Sequence, residues 1–460
     1  MEERDVVIIG GGPAGYSAAI RTSQLGAKVT LIEQDTLGGT CINRGCIPTR
    51  SFVRAGELLD IGGKAKDYGI TYTNMVVDFI KMKARKDTIV KILVTSIKQV
   101  LNGKGVEIIE GKGRLASPST IELQLRDGMK KELKARRIIL ATGSRCKKLS
   151  FRGGGTNILN TTQALELTEI PRSILIIGGG FIGAAFATIF SKLGAPVSMI
   201  EESSRILPQI DKEIVAILEK EFKANNIQIF TKAQVMSIEL GKNDDQTILV
   251  DINGEAVSVT AQYVLLAEAR EANIDGLGLD EIGIKQNDMM GIVVNKQMET
   301  NVPGIFAVGD VTMQHMSTPV AYIEGITAAE NAMGWNSEID YTAIPYGACT
   351  VPEISGVGIT EEEAITQGNQ IRIGRFPFAG NGVAAVLGQR TGMVKIITDG
   401  DRGKILGAHI IGPNASDLIA EAGLAMKLNI TSEDIRTTFH AHPSLSEALW
   451  ETAKIVSSTK

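Results

Sequence analysis

A short apolar run, a glycine-rich turn, a small-residue stretch and a second apolar run ending in an acid occur twice in this chain, and few folds accommodate that pattern. The first copy runs Asp5-Val6-Val7-Ile8-Ile9, then Gly10-Gly11-Gly12-Pro13-Ala14-Gly15, and later Lys28-Val29-Thr30-Leu31-Ile32 before Glu33. The second runs Ser173-Ile174-Leu175-Ile176-Ile177, then Gly178-Gly179-Gly180-Phe181-Ile182-Gly183, and Pro196-Val197-Ser198-Met199-Ile200 before Glu201. In both copies 18 residues lead from the last glycine to the acid. Unbroken apolar runs suit strands buried on both faces of a parallel sheet. The glycines permit a tight turn and let a pyrophosphate approach the N-terminus of the next helix, where unpaired N–H groups and the helix dipole favour negative charge. The acid then accepts from ribose hydroxyls. An isolated glycine turn is often an ordinary loop, and the flanking strands and acid separate the two readings. The chain is therefore read as α/β with two dinucleotide sites. Gly10, Gly12, Pro13, Ala14, Gly15 and Glu33 form the first, and Gly178, Gly180, Phe181, Ile182, Gly183 and Glu201 the second.

Shortly after the first copy stands Gly38-Gly39-Thr40-Cys41-Ile42-Asn43-Arg44-Gly45-Cys46-Ile47-Pro48. Two close cysteines beside a cofactor site read as a redox couple, as metal ligands or as an inert buried pair. Zinc needs four ligands, and the remaining cysteines, Cys146 and Cys349, are isolated, so the metal reading is the weaker one. The site next to the sulfurs should hold the cofactor able to exchange electrons with them, which assigns a flavin to the first turn and a nicotinamide nucleotide to the second. Glu201 and the following Glu202 repel a 2′-phosphate and favour NAD over NADP, with Arg205 the nearby cation that could fold back to receive one.

With 460 residues and 43% hydrophobic content, the chain is long enough to bury a large core in three or four domains. A net charge of -4 without a long basic block speaks against nucleic acid or an anionic membrane as partner. No apolar run reaches the roughly 18 residues of a membrane span. The first strand is expected to begin near Asp5, leaving no room for a signal peptide, and a cytoplasmic location is expected.

Two more segments suit a flavin domain split by an insertion. Arg137 to Ser144 is an apolar strand ending in Ala141-Thr142-Gly143, and Gly304 to Asp310 is another ending in Gly309-Asp310. Asp310 is placed to bond the ribityl or phosphate region of the flavin. From about Tyr341 the composition shifts to strands such as Met393 to Ile397 and an amphipathic helix around Leu418 to Leu428, an α+β module without a third fingerprint.

Together, both fingerprints, the Gly-Gly-Thr-Cys-x4-Cys-Ile-Pro-Thr run, Ala141-Thr142-Gly143, Gly309-Asp310 and the terminal His440-Ala441-His442-Pro443-Ser444-Leu445-Ser446-Glu447 resemble the class I pyridine nucleotide-disulfide oxidoreductases over nearly the whole chain. The likeness is greatest to members that oxidise dihydrolipoyl groups. The resemblance implies two Rossmann-like dinucleotide-binding domains, for FAD and NAD, and a C-terminal α+β dimerisation domain. Residues 1–145 would begin the FAD domain, 146–270 bind NAD, 271–340 complete the FAD and central region, and 341–460 form the interface. It also implies that Cys46 faces the flavin, that Cys41 exchanges with substrate, and that Gly39, Thr40 and Arg50 line the flavin site. His442, oriented by Glu447, would be the acid–base group, reaching the site from the opposite subunit of a homodimer. Imidazole suits a proton transfer near neutral pH, and a carboxylate fixes its tautomer. His440 is assigned a supporting place. The substrate implied is a lipoyl-bearing protein or free dihydrolipoamide.

The chain departs from the family where relatives pair a lysine, four residues past the second cysteine, with a glutamate in the helix after the nicotinamide fingerprint. Arg50 and Ala185 stand at those positions, so a more positive flavin environment is expected, with Arg50 seeking water, an anion or another acid. Glu268-Ala269-Arg270-Glu271-Ala272-Asn273 replaces a common Gly-Arg-x-Pro-Asn segment and is expected to loosen a turn. Cys146, which replaces a frequent proline, and Cys349 are assigned packing roles. Sister enzymes with an additional C-terminal cysteine site fit less well, because no cysteine follows Cys349. The competing readings are a reductase of another small disulfide, a lipoyl dithiol oxidoreductase with a different acceptor, and a non-catalytic flavin-binding scaffold of lipoyl complexes.

Overall fold

The computed structural model describes residues 3–147, 157–267 and 270–458. The chain forms two compact units, one of residues 1–48, 83–148 and 269–340, the other of 49–82, 149–268 and 341–460.

In the first unit the strand Glu3–Ile9 lies at the centre of a parallel sheet, paired with Val29–Glu33 on one side and Lys130–Leu140 on the other. Glu107–Ser117 and Ile305–Ala307 extend the sheet outward, again in parallel. Val6, Val7 and Ile8 are wholly buried, as a strand covered on both faces demands. Glu107–Ser117 and Lys130–Leu140 outgrow the parallel core, and Thr120–Leu125 joins their free ends antiparallel. The helices Pro13–Gln24 and Thr318–Ala332 pack against each other at backbone distance. A Cβ at Gly325 would fall 2.3 Å from the Ala14 carbonyl oxygen, so only glycine fits there.

The second unit repeats the plan. Five parallel strands run in the order Ile227–Thr231, Val197–Glu201, Ile174–Ile177, Tyr263–Leu266 and Ile158–Asn160. An antiparallel meander of Ala233–Leu240, Gln246–Ile252 and Glu255–Ala261 follows Ile227–Thr231 in sequence, as Thr120–Leu125 follows Glu107–Ser117 in the first unit. The helix Phe181–Lys192 is buried on all sides from Gly183 to Phe190, including Ala185. A helix apolar all round belongs inside a core, and this one shares a cluster with Phe52, Val53, Ala348 and Ile354.

The same unit carries a five-stranded antiparallel sheet in the order Pro345–Ala348, Glu353–Gly358, Ile405–Gly412, Met393–Asp399 and Ile371–Pro377. Ala415–Lys427 and Glu447–Ser458 pack on it through Ile419, Ala422, Leu449 and Ala453. The fold is thus α/β with two Rossmann-like domains and a C-terminal α+β module.

The expected strand around Met393 to Ile397 contains a charge that does not reach solvent. Lys395 is fully buried and its Nζ meets carboxylates of Asp211 at 2.8 Å, Glu213 at 2.8 Å and Glu361 at 2.6 Å. Arg375 closes the cluster by bridging Glu213 and Glu361.

Candidate active site

The two glycine turns are built alike. Gly10 and Gly178 have φ of 109° and 107°, in the region open to glycine. A Cβ on Gly15 would fall 1.8 Å from the Gly10 carbonyl oxygen, and one on Gly183 would fall 1.8 Å from that of Gly178. Gly12 and Gly180 stand at the N-caps of their helices without a side-chain cap, leaving the first amides turned outward. Glu33 accepts from the amides of Gly11 and Asp35, both at 2.7 Å. Glu201 accepts from those of Gly179 at 2.7 Å and Ser203 at 2.8 Å. Burial raises the Glu33 carboxyl against these amide bonds. Glycine turns with uncapped amides and a fixed acid fit a dinucleotide at each place.

The cysteine segment lies against the first turn. Gly38 donates its amide to the Gly11 carbonyl at 2.8 Å. Gly39 has φ of 57° and sits so close that a Cβ there would fall 2.7 Å from Gly12 Cα. Cys41 lies in the short helix Gly39–Arg44, and Cys46 is the first residue of the helix Cys46–Gly63. Both are free thiols, Cys41 half-buried and Cys46 exposed. A hydrogen bond from the Cys41 thiol, with a further one from Thr318, brings Cys46 down to about 6. The same pairing pushes Cys41 up. Thr318 Oγ1 stands 3.8 Å from Cys46 Sγ, and a thiol at a helix N-terminus with such partners is poised as thiolate. Tyr16 and Tyr322 share a 2.7 Å hydrogen bond in the same unit, and burial holds the Tyr16 hydroxyl well above the ordinary phenol range.

Ala141, Thr142 and Gly143 follow the strand Lys130–Leu140. Thr142 Oγ1 donates to the Asn273 carbonyl at 2.7 Å and Asn273 Nδ2 returns a bond to Thr142 at 3.0 Å. Gly309 and Asp310 begin a single turn of 3-10 helix, and buried Glu324 accepts the Gly309 amide at 2.6 Å. Sequence reasoning passed over Glu324, although an acid inside the apolar helix Thr318–Ala332 is a signal that it is bonded there. Of the segment expected to loosen a turn, Glu268 and Ala269 lie outside the described residues. Arg270–Ala272 pairs as a short strand with Ser144–Cys146, and Asn273 is tied to Thr142 and Gly143, so the described part is firmly held.

In the second unit, Arg205 does not fold toward the second turn. It donates to Glu362 at 2.7 Å and to the carbonyls of Pro208 and Ile210. The Phe181 ring, at the start of its helix, packs 6.0 Å from that of Tyr346, whose hydroxyl meets His409 Nδ1 at 2.7 Å. Ile182 is exposed.

Arg50 finds another acid. It pairs with Glu353 at 2.5 Å, and Glu353, nearly buried, also accepts from Ser416 Oγ at 2.8 Å. Of the partners expected for Arg50, the structure shows another acid, supplied from the antiparallel sheet where Ala185 offers no carboxylate.

His442 is largely exposed, and its Nδ1 lies 2.8 Å from Glu447 Oε1. The other carboxylate oxygen accepts the Ser444 amide at 2.9 Å, and the histidine bond is the chief reason the Glu447 carboxyl is lowered. With Nδ1–H donating to the carboxylate, Nε2 is left to take a proton. His440 Nε2 instead meets Glu421 at 2.9 Å, its ring beside Trp450.

A cysteine pair against one dinucleotide turn, with a second turn elsewhere in the chain, defines a nucleotide-linked disulfide oxidoreductase. Residues 4–325 match the family model described as pyridine nucleotide-disulphide oxidoreductase and residues 344–453 match that family's dimerisation domain, so the chain belongs to this family. Over 457 residues it is 38% identical to dihydrolipoyl dehydrogenase of Geobacillus stearothermophilus, covering 99% of this chain and 97% of the relative. It is 36% identical to leghemoglobin reductase of Vigna unguiculata, covering 98% of this chain and 87% of that one. Among solved structures it resembles LpdA from Mycobacterium tuberculosis with a TM-score of 0.91 and 27% identity, over 98% of this chain and 99% of that one. It also resembles the Cu(II) complex of the HOCl-induced flavoprotein disulfide reductase RclA from Escherichia coli, with a TM-score of 0.88 and 26% identity over 99% of this chain and 100% of that one. Among the described residues, no helix is long and apolar enough to cross a membrane.

Proposed function

We propose that this protein oxidises dihydrolipoyl groups to lipoyl with NAD, as a cytoplasmic homodimer that uses FAD. The observation that carries the reading is the placement of the segment bearing Cys41 and Cys46 against the first glycine turn, through Gly38 and Gly39. Gly10, Gly12, Pro13, Ala14, Gly15, Glu33, Gly39, Thr40, Ala141, Thr142, Gly143, Gly309 and Asp310 would hold FAD, with Arg50 on the helix that Cys46 begins. Gly178, Gly180, Phe181, Ile182, Gly183 and Glu201 would hold NAD.

In the oxidised protein Cys41 and Cys46 are bridged. One substrate sulfur attacks Cys41, forming a mixed disulfide and releasing Cys46 as the thiolate that its hydrogen bonds favour. The second substrate sulfur attacks the first, closing the lipoyl ring and leaving Cys41 reduced. The partner subunit's His442 accepts at Nε2 the proton that the attacking thiol gives up, and Glu447 holds the ring in the required tautomer. FAD, when bound, would accept the electron pair from the dithiol and make it available to NAD.

Steady-state NAD reduction by dihydrolipoamide tests the reading. His442→Gln should lower turnover by about 10²–10⁴-fold, and Cys41→Ser should abolish it while flavin stays bound. Unchanged lipoamide turnover in Cys41→Ser, or a flavin-containing protein without turnover, would defeat it. Reduction of another small disulfide is a second reading, favoured by the Arg50–Glu353 pair standing where relatives use a different one. A panel of disulfides with NADH and NADPH distinguishes the two.

A further inference from the structure

The short ribbon that pairs Ser144–Cys146 with Arg270–Ala272 has two unlike faces. Residues two apart on a strand share a face. Arg145, Glu271 and nearby Asp275 form an exposed ion cluster on one side, with Arg145 at 2.7 Å from Glu271 and 2.5 Å from Asp275. Ser144, Cys146 and Arg270 lie on the other and turn to Asp310. Ser144 Oγ donates to Asp310 Oδ2 at 2.5 Å and accepts from Arg270 Nε at 2.7 Å. Arg270 Nη2 also donates to the Ser144 carbonyl at 2.8 Å, its Nη1 lies 4.0 Å from Cys146 Sγ, and its Nε lies 3.9 Å from Asp310. Both charged side chains are mostly removed from solvent, with 17% and 25% of their surfaces exposed, so their mutual attraction is little screened.

We propose that Arg270, acting through Ser144, is a positioning residue that fixes the Asp310 carboxylate and balances its charge beside the flavin and the Cys46 sulfur. The flavin part of this statement rests on the function proposed above. The physical need is specific. The reduced site gathers negative charge, as a thiolate and as electrons on the cofactor, and Asp310 already acts against the Cys46 thiolate. A carboxylate there is tolerable only with a fixed counter-charge. The Ser144 hydroxyl uses its donor on the acid and a lone pair on the arginine, so the carboxylate keeps free lone pairs for a ribityl hydroxyl.

The test compares Arg270→Gln, Arg270→Lys, Arg145→Gln and Arg270→Gln with Asp310→Asn, all as purified flavoproteins. Arg270→Gln should make the flavin midpoint potential more negative by about tenfold in the two-electron equilibrium, about 30 mV. It should also slow iodoacetamide labelling of reduced Cys46 at pH 7 severalfold, read by peptide mass spectrometry. Arg270→Lys should restore both largely. Adding Asp310→Asn should cancel the effect, because the charge to be balanced is gone. Arg145→Gln, on the opposite face, should lower thermal stability at most and leave potential and labelling unchanged. A potential and labelling rate in Arg270→Gln equal to those of the native protein, or an effect that persists undiminished with Asp310→Asn, would overturn the proposal. Native protein that takes up no flavin would defeat the proposed function, and the Cys46 labelling rates would then still decide whether Arg270 offsets Asp310.

Discussion

Arg50 and Glu353 are separated by 303 positions in sequence and joined by an ion pair, with Ser416 as the acid's second partner. The cation sits one helical turn beyond Cys46, and its counter-charge comes from the antiparallel sheet instead of the fingerprint helix, where Ala185 is buried among apolar side chains.

Glu353→Gln keeps the shape of that contact and removes its charge. With Arg50 left uncompensated on the helix that Cys46 begins, the flavin midpoint potential should rise. A potentiometric titration superimposable on that of the native protein would show that Arg50 does not act on the flavin. Replacing Arg50 by Met should instead cost about 1–3 kcal/mol of stability, because nearly buried Glu353 would lose its cation and keep the hydroxyl and amide of Ser416.

Cys46 is brought down to about 6 by hydrogen bonds from Cys41 and Thr318, from an ordinary thiol value near ~8.5. Labelling of reduced Cys46 should therefore persist at pH 7 and fall as pH drops through about 6. Thr318→Val removes one of the bonds and should move the midpoint upward. A native midpoint near that of a free cysteine would refute the thiolate assignment.

Nucleotide choice should follow the pairing of Arg205 with Glu362. NAD is expected to be preferred over NADP in kcat/KM. Glu362→Gln frees one end of Arg205 and should narrow the preference by about tenfold, about 1.4 kcal/mol. No change in the ratio would mean that Glu201 and Glu202 alone repel the 2′-phosphate.

Lys395→Met should cost about 3–5 kcal/mol, because Asp211 would remain buried without its cation. In the native protein burial raises the Asp211 carboxyl, but the hydrogen bond and charge of Lys395 outweigh it and hold the group below its usual range. A folded value below the unfolded one, near ~3.9, adds stability above that pH and loses it as pH falls through the folded value. Urea unfolding should thus show the penalty of Lys395→Met holding from pH 7 to about 4 and shrinking as pH falls further. A penalty independent of pH would refute the charge account.

Both glycine turns and the cysteine segment were legible in the sequence because each is written within a few dozen residues and obeys local rules of turn, helix start and strand, whereas the His442–Glu447 pair was singled out through the family resemblance. The antiparallel module was legible only as a class: its helix was expected from Leu418 and begins at Ala415. Partners contributed from afar were not legible. Nothing near Glu353 marks it as the answer to Arg50, and the three acids around Lys395 come from two distant segments. Arg270 was noticed only as part of an altered turn. Its meaning depends on a three-residue strand pairing, too short to leave a periodic signal.

The near-identity of the two fingerprint turns has a further consequence. Each acid already accepts two amides in the protein alone and keeps lone pairs for a sugar hydroxyl, so neither turn must reorganise to receive its nucleotide. A resident cofactor and a visiting one therefore cannot be told apart by these loops. How long each stays must be decided by what surrounds them: Gly38 and Gly39 of the cysteine segment lie over the first turn, whereas Leu207 bonds the Gly179 carbonyl over the second.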